Sequence, residues 1–400
     1  MSFQQGLSGL NAASRGLDVI GHNIANANTT GMKASRAEFS ELYAGNLASS
    51  GGVTSGIGVA VSAVSQQFTQ GNITATGNDL DVAVSGNGFF TVQLPSGDPA
   101  YTRAGNFKMD KDGYIVTNDG AKLQGDIIDP VTKAITKGTL QVPTGKGIDG
   151  KATTSGNIEL NLDTRAVVAN SVTPNVPLTT YGTSLNVFDT QGTAVPVNLY
   201  FQKTGANAWN VYQKADGSDT PTAIAFDSTG RLTTPASGLI TIADPRGTPG
   251  PGGAVGGSFR ISGITQNASA FSVSDLTQDG YAPGALTGMT IEADGSLTTR
   301  YSNGQTQKAG VVTLASFRNV QGLEPSSGGY WKQTFSSGAP IVSAPGSGNF
   351  GKLKSGALED STVDLTGELV NMMTAQRAYQ ANAQTIKTQD QVMSTLVNLR

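Results

Sequence analysis

The C-terminal end of the chain reads LVNMMTAQRAYQANAQTIKTQDQVMSTLVNL over residues 369–399 and contains no proline. Its apolar residues recur at intervals of seven, at Met372, Tyr379, Ile386 and Met393, with Leu365, Leu369, Ala383 and Val397 at the intervening positions. A seven-residue apolar repeat predicts a long α-helix with a coiled-coil-like seam. Because Gln376 and Asp390 place polar groups on this seam, we expect the helix to need a partner surface.

Local signals place the start of this helix near Ser361 or Thr362. Asp364 stands three residues after Ser361, which is the spacing of a capping box. The N-terminal end carries a similar pattern, because residues 2–27 contain no proline and their apolar residues recur at helical spacing: Phe3, Leu7, Leu10, Leu17, Ile20 and Ile24. The sequence therefore predicts a helix at each end of the chain.

The two predicted helices supply too little core to be stable alone. Each seam could simply be the core of one isolated helical bundle, but we expect the apolar faces to pack against each other and against further copies of the chain. The expected assembly interface comprises Phe3, Leu7, Leu10, Leu17, Ile24, Leu365, Leu369, Met372, Tyr379, Ile386, Met393 and Val397.

The middle of the chain has the pattern of short β-strands separated by glycine-containing turns. Residues 81–84 and 89–94 are apolar-rich and flank Ser85-Gly-Asn-Gly88, which predicts a hairpin. Turn signals recur at residues 112–113, 118–120, 189–192 and 294–295. Strands at this spacing predict antiparallel β-sandwich or barrel-like domains. Residues 247–257, six of which are glycine, are expected to form an exposed loop rather than core.

Paired terminal helices imply nested domains, because each enclosed domain is then entered once and left once. The predicted fold is mainly β with terminal α-helices and two β domains. Its expected divisions are a terminal helical domain at 1–33 and 357–400, a connecting segment at 34–70, an inner β domain at 71–144 and 285–356, and an outer β domain at 145–284.

Composition excludes most kinds of catalytic and metal site. The 400 residues include no cysteine and a single histidine, His22, so thiolate sites and histidine clusters cannot form within one chain. We expect His22 to lie on a helix surface or at an interface. The stretch from Asp110 to Gly113 departs from the calcium-loop pattern and predicts a β-turn instead. No cofactor or metal is expected, although a pair of carboxylates for glycoside hydrolysis stays open.

Charge and hydropathy limit the kinds of partner that the chain is expected to bind. The chain has 26 basic and 29 acidic residues, a net charge of −3, and only 14% charged residues, which argues against a basic groove for nucleic acid. It has no apolar run of 18 residues, so no membrane insertion is expected. The first twenty residues lack the pattern of a cleaved secretory signal peptide.

Both ends resemble the bacterial flagellar axial family of rod, hook and hook-associated proteins. The similarity lies in GLSGLNAASRGLDVIGHNIANANTTGMK at 6–33 and in the C-terminal stretch at 369–399. Two internal stretches, GNGFF at 86–90 and YTRAGNFKMDKDGYIVTNDGAKLQG at 101–125, resemble the β domain shared by rod and hook subunits. The stretch VNLYFQKTGANAWNVY at 197–212 is similar to the outer domain of hook subunits.

This resemblance implies a structural, non-enzymatic subunit of the flagellar hook, located outside the cell in the hook and basal body. Such subunits polymerise into a curved tube that acts as a universal joint between rod and filament. The partners it implies are further copies of the chain, the distal rod protein, the hook–filament junction protein, the hook cap and the flagellar type III export apparatus. Residues 34–70 would connect the inner helices with the outer domains.

Two alternatives remain at this point. The chain could be a distal rod subunit of the same family, although such subunits are shorter and lack a second β domain. From a different class, a secreted β-rich carbohydrate-binding protein or hydrolase would fit the composition and the β content. Only the polymer subunit would require the terminal helices.

Overall fold

The computed structural model describes residues 2–43, 56–129, 132, 134–142, 147–170, 176–246 and 249–398. The chain divides into two compact units. The first comprises Met1–Pro143, Gly288–Thr299 and Thr306–Arg400, and the second comprises Thr144–Thr287 and Arg300–Gln305.

The described elements are two α-helices, at Ser2–Ala25 (α1) and Leu365–Asn398 (α2), and a series of short strands. The first strands are β1 (Ser35–Tyr43), β2 (Gly56–Gln66), β3 (Ile73–Ala75), β4 (Val82–Ser85), β5 (Phe89–Gln93), β6 (Pro99–Thr102), β7 (Lys108–Met109), β8 (Ile115–Val116), β9 (Lys122–Ile128) and β10 (Ile135–Thr139). They are followed by β11 (Ser155–Asp163), β12 (Gly182–Phe188), β13 (Ala194–Lys203), β14 (Ala208–Tyr212), β15 (Thr222–Phe226), β16 (Leu232–Thr234), β17 (Leu239–Ile242), β18 (Gly257–Arg260), β19 (Thr265–Asn267) and β20 (Ser272–Gln278). The last are β21 (Leu286–Ile291), β22 (Ser296–Tyr301), β23 (Thr306–Val312), β24 (Leu314–Ser316), β25 (Glu324–Ser326), β26 (Tyr330–Lys332), β27 (Ile341–Ser343), β28 (Lys352–Ser355) and β29 (Ala357–Glu359).

The predicted mainly-β fold with terminal helices is confirmed, but the start predicted for the C-terminal helix was wrong. Helix α2 begins at Leu365, and the side chain of Asp364 caps it by accepting a hydrogen bond from the Thr366 backbone N–H at 3.1 Å. Thr362 lies before the helix, where its backbone N–H donates to the Met32 carbonyl at 3.1 Å and pairs with the chain leaving α1.

The first unit contains a large sheet with the strand order β21-β22-β23-β9-β5-β6-β26-β25. A buried core beside its central strands contains the side chains of Phe89, Tyr101, Phe317 and Trp331, whose rings contact one another edge to face. Two short pairs, β3 with β29 and β4 with β28, join the chain early and late in the sequence. The first unit is therefore closed by strands from both ends of the chain.

The hairpin predicted around Ser85-Gly-Asn-Gly88 was wrong. Strand β4 pairs with β28, whereas β5 pairs with β6, β9 and β24. Gly86 and Gly88 have φ angles of 111° and 124°, and a Cβ at Gly86 would lie 2.9 Å from the Gly351 Cα. The positive φ angles of these glycines thus let the chain pass from the β4–β28 pair into the sheet that contains β5, instead of turning back to pair β5 with β4.

Other turn predictions are confirmed. Residues 189–192 join the antiparallel pair β12–β13, with Gly192 at φ 76°. The predicted turn at Asp110–Gly113 joins β7 to β8, and the Gly113 N–H donates to the Asp110 carbonyl at 2.9 Å. The segment at 34–70, expected to be a connecting segment, contains the antiparallel pair β1–β2.

The second unit has two five-stranded sheets, β12-β13-β14-β15-β16 and β17-β18-β11-β19 with β20 beside β11. Both sheets contribute alternate side chains to one core around the fully buried Trp209, whose indole N–H donates to Gln266 Oε1 at 3.2 Å. Strand β11 runs parallel to β18 and β19, which differs from the antiparallel pattern expected. A parallel neighbour requires a long crossover, and strands β12–β16 lie in that connection.

The glycine-rich segment at 247–257 is described from residue 249 onward, and the exposed-loop prediction was wrong at Val255. This side chain is buried in the core of the second unit, and its backbone N–H donates to Asp244 Oδ2 at 3.1 Å. Arg246 pairs with the same carboxylate and donates to the Gly253 carbonyl at 2.9 Å. The hydrogen bond from Arg246 holds the pKa of Asp244 at about 2.

Asp279 joins the two chain segments through which the second unit is entered and left. Its Oδ1 accepts the backbone N–H groups of Thr154 and Ser155, and its Oδ2 accepts Lys151 Nζ at 2.9 Å and the Thr154 hydroxyl at 2.7 Å. Partial burial opposes the charge, but the hydrogen bonds from Ser155, Lys151 and Thr154 outweigh it and hold the pKa of Asp279 below the ordinary 3.8.

We predict that Asp279→Asn lowers the free energy of unfolding of the second unit by about 1–2 kcal/mol, because the amide loses the two bonds at Oδ2. Denaturation followed by Trp209 fluorescence in a Trp331→Phe background measures this change in unfolding free energy. Since the pKa of Asp279 is lowered in the folded chain, the stabilisation by its carboxylate is present above pH 3.8 and is lost as pH falls through the folded pKa. Asp275→Asn is the control, because the bonds of Asp275 to Asn157 and Thr277 are 3.4 Å long. An equal loss in both variants would contradict the assignment.

Candidate assembly interface

Helices α1 and α2 pack through small residues. A Cβ at Gly9 would lie 2.9 Å from Asn382 Nδ2, and one at Gly6 would lie 3.1 Å from Ile386 Cγ1. Ala12, three residues after Gly9, is buried. The absence of larger side chains on this face of α1 lets α2 approach closely, at some cost in helix propensity.

Part of the predicted seam is half-buried in the structure and part is exposed. Half-buried members are Leu10, Leu17, Ile24, Met372 and Ile386, and exposed members are Phe3, Leu7, Leu365, Leu369, Tyr379 and Met393. Val397 lies in α2, but its side chain falls outside the described set. Of the intervening positions, Ala383 is half-buried, and Asn382 beside it lies opposite Gly9 of α1. The seven-residue repeat was defined by large apolar side chains, so it did not predict the close contact of α2 with Gly6 and Gly9.

The hairpin β1–β2 is attached to α1 by polar contacts. Gln5 Nε2 donates to the Gly56 carbonyl at 2.6 Å, and the Ser8 hydroxyl accepts the Val59 backbone N–H at 3.3 Å. Gly58 has a φ of 142°, and a Cβ there would collide with the Ser8 hydroxyl. A groove of about 630 Å³, lined by Gly9, Phe39 and other residues of both helices and the hairpin, lies beside this contact.

Asn23 joins three elements at the C-terminal end of α1. Its amide donates to the Ser35 carbonyl at 2.8 Å and to Glu368 Oε1 at 3.0 Å, and its Oδ1 accepts the Ser35 N–H at 2.9 Å. The side chain is buried, so these partners satisfy it in place of water. His22 lies next to it in sequence but is exposed, as expected for a helix surface.

Three buried charges lie where the chain leaves α1 and approaches α2. Lys33 Nζ donates to Glu359 Oε1 at 2.6 Å, and Arg103 Nη1 donates to Glu359 Oε2 at 3.2 Å. Lys33 and Glu359 are 1% and 0% exposed, and Arg103 is 6% exposed. We call Lys33, Arg103 and Glu359 the charge cluster.

Backbone groups add three hydrogen bonds to the charge cluster. Lys33 also donates to the Thr69 carbonyl at 2.7 Å, Arg103 Nη2 to the Gly86 carbonyl at 2.9 Å, and the Gly71 N–H to Glu359 Oε1 at 2.9 Å. Burial lowers the pKa of both Lys33 and Arg103, and the carboxylate of Glu359 opposes that effect. Lys33 and Arg103 stand inside the motifs GMK and YTRAGNF, but the sequence did not identify them as a site. A charged residue within an apolar, glycine-rich motif is the feature that could have indicated a buried ion pair.

No cluster of three or more metal-ligating side chains occurs among the described residues. Neither described helix combines the length and the hydropathy that crossing a membrane requires.

We predict that Glu359→Gln lowers the free energy of unfolding of the first unit by about 3–5 kcal/mol, because two buried cations lose their counter-charge. Denaturation followed by Trp331 fluorescence in a Trp209→Phe background measures the change. Glu38→Gln is the matched control: Glu38 pairs with Arg36 at 3.0 Å on the surface, and we expect a loss below about 1 kcal/mol. Equal losses in the two variants would show that the charge cluster contributes no more than a surface pair.

Comparison with known proteins agrees with this arrangement. Family models match residues 3–33 (flagella basal body rod protein), 83–165 (flagellar hook protein FlgE/F/G D1 domain), 161–281 (flagellar basal body protein FlaE D2 domain) and 354–399 (flagellar basal body rod FlgEFG protein C-terminal). The crystal structure of Helicobacter pylori flagellar hook protein FlgE2 has a similar fold, with a TM-score of 0.54 at 15% identity over 72% of this chain and 100% of that one.

Sequence relatives are similar over their full length. The chain is 41% identical to the flagellar hook protein FlgE of Escherichia coli strain K12 and 40% identical to that of Salmonella typhimurium, with all of this chain and all of each relative covered. It is 34% identical to the Rhizobium meliloti protein, over 100% of this chain and 98% of the relative. The chain therefore belongs to the flagellar hook protein FlgE family and is a structural subunit of the bacterial flagellar hook.

Proposed function

We propose that the chain polymerises through the outward faces of α1, α2 and the hairpin β1–β2. Large apolar side chains on these elements remain uncovered within one chain, including Phe3 at 51%, Leu369 at 46% and Met393 at 56% exposure. Covering each such side chain stabilises an assembly by up to about 1.5–3 kcal/mol. This uncovered apolar surface is the observation that carries the proposal.

The pairing of α1 with α2 favours further copies as the partner. Small residues fill the contact between the two helices, so most large apolar groups face away from it. A heterologous contact repeated without closure gives a helical polymer. The resulting tube would act as a universal joint that carries torque from the rod to the filament while it bends.

The specific partners follow from the same proposal. The two ends of the tube would contact the distal rod protein and the hook–filament junction protein, and growth would proceed beneath a hook cap after passage through the flagellar type III export apparatus. The match to the D2 domain over residues 161–281 and the full-length similarity to hook proteins favour this role over that of a distal rod subunit.

We further propose that the chain has no catalytic activity. Its family is one of structural proteins, and the terminal helices, which a secreted hydrolase or carbohydrate-binding module would not need, form a paired structure anchored by the charge cluster. Binding of polysaccharide by a chain lacking residues 365–400 would instead support the alternative.

The test of polymerisation is Leu369→Asp compared with Leu369→Met. We predict that the aspartate variant raises the critical concentration for tube formation at least about tenfold, because a charge replaces an apolar contact between copies, whereas methionine keeps it within about threefold. Sedimentation and electron microscopy of the full-length chain measure this. Ile386 is a poorer site for the test, because it already contacts α1 at Gly6. Normal tubes from Leu369→Asp would contradict the proposed interface.

A further inference from the structure

Phe335 is a large apolar side chain that no described residue covers. It is 104% exposed, compared with 68% for Ile135, the next most exposed large apolar side chain among the described residues. It lies in the loop between β26 and β27, in the first unit. An aromatic ring held fully in water is a favourable anchor for a protein interface, because its burial contributes a large area at a small cost in side-chain entropy.

The loop that carries Phe335 is held in one conformation by hydrogen bonds on both sides of it. The Thr334 hydroxyl donates to the Gly322 carbonyl at 2.6 Å and accepts the Ser336 N–H at 3.1 Å. The Ser337 hydroxyl, which is buried, accepts the Thr334 N–H at 3.0 Å and donates to the Thr334 carbonyl at 2.9 Å. Little conformational entropy is therefore left to lose when the ring is covered.

The loop also packs directly on the backbone of the neighbouring segment. A Cβ at Gly322 would lie 2.6 Å from the Ser336 carbonyl carbon, and Asn319 Nδ2 donates to the Ser336 carbonyl oxygen at 3.1 Å. The exposure of Phe335 is thus imposed by a fixed backbone.

The surrounding sequence carries no charge. Residues 333–351, QTFSSGAPIVSAPGSGNFG, form a run of 19 residues without Asp, Glu, Lys or Arg. Ile341 and Val342 in this run are 58% and 39% exposed, on a strand that pairs with β24 and with no other described strand. Depletion of charge with aromatic and apolar enrichment is typical of interface cores.

We propose that this segment, centred on Phe335, is a second self-contact, through which the first unit of one copy packs on a neighbouring copy in the hook. The inference rests on the proposed polymerisation and adds to it a contact outside the terminal helices. A second copy is the favoured partner because two chains of net charge −3 repel each other, and a segment without charged residues lets them meet without burying like charges from that segment.

The first test compares Phe335→Asp, Phe335→Leu and Ile135→Asp in the full-length chain. We expect Phe335→Asp to raise the critical concentration for tube formation at least about tenfold, Phe335→Leu to stay within about threefold of the parent, and Ile135→Asp to stay within about twofold. Thermal unfolding of the unassembled chains should be unchanged, because the ring contacts no core. Parent-like assembly of Phe335→Asp would overturn the contact, and so would equal defects in Phe335→Asp and Ile135→Asp.

The second test uses the absence of cysteine from the chain. A benzophenone attached to Phe335→Cys, mixed at about one part in twenty with unlabelled chain and irradiated, should give a product of twice the chain mass in tubes and none in dilute monomer. Absence of that product from well-formed tubes would overturn the contact and leave the helix interface standing. Failure of the parent chain to form tubes would overturn both proposals.

Discussion

The carboxylate of Glu359 holds two buried cations, and the attachment of both terminal helices to the first unit depends on that arrangement. Each charge costs several kcal/mol to remove from water, and the cost is offset only while Lys33, Arg103 and their backbone partners are all in place. Lys33 lies in the chain after α1, Glu359 lies in the chain before α2, and Arg103 directly follows β6. The charge cluster therefore sets where the segments next to both helices attach to the β structure. Asn23 extends the same constraint by tying α1 to β1 and α2.

With the helix ends fixed in this way, the close packing between the helices needs few large side chains. Gly6 and Gly9 allow a close backbone approach, and no described side chain of α2 is fully buried. The pair therefore depends on its attachment to the β structure more than on an apolar seam. Because small residues form the contact between the helices, the larger apolar side chains face outward. This exposed apolar surface is the physical basis for proposing that further copies cover it.

Local signals in the sequence predicted local structure well. Helical periodicity at both ends and Asp-Gly turns such as that at Asp110–Gly113 were sufficient, because they depend on near neighbours. Pairings between distant residues were not predictable. Gly86 and Gly88 indicated a turn but not that β4 would pair with β28, and the close approach at Gly9 is visible only once Asn382 lies opposite. Lys33 and Arg103 stood in quoted motifs, but only the fold brings them to Glu359.

We infer that the charge cluster fixes the terminal helices relative to the β structure of the first unit. The cysteine-free chain permits spin labels at Asn11→Cys on α1 and Lys108→Cys on β7, with the distance between them measured by pulsed electron paramagnetic resonance. We expect a narrow distance distribution between the two labels in the otherwise unaltered chain, and a clearly broader one when Glu359→Gln is added. Distributions of equal width would show that the charge cluster does not fix the helices.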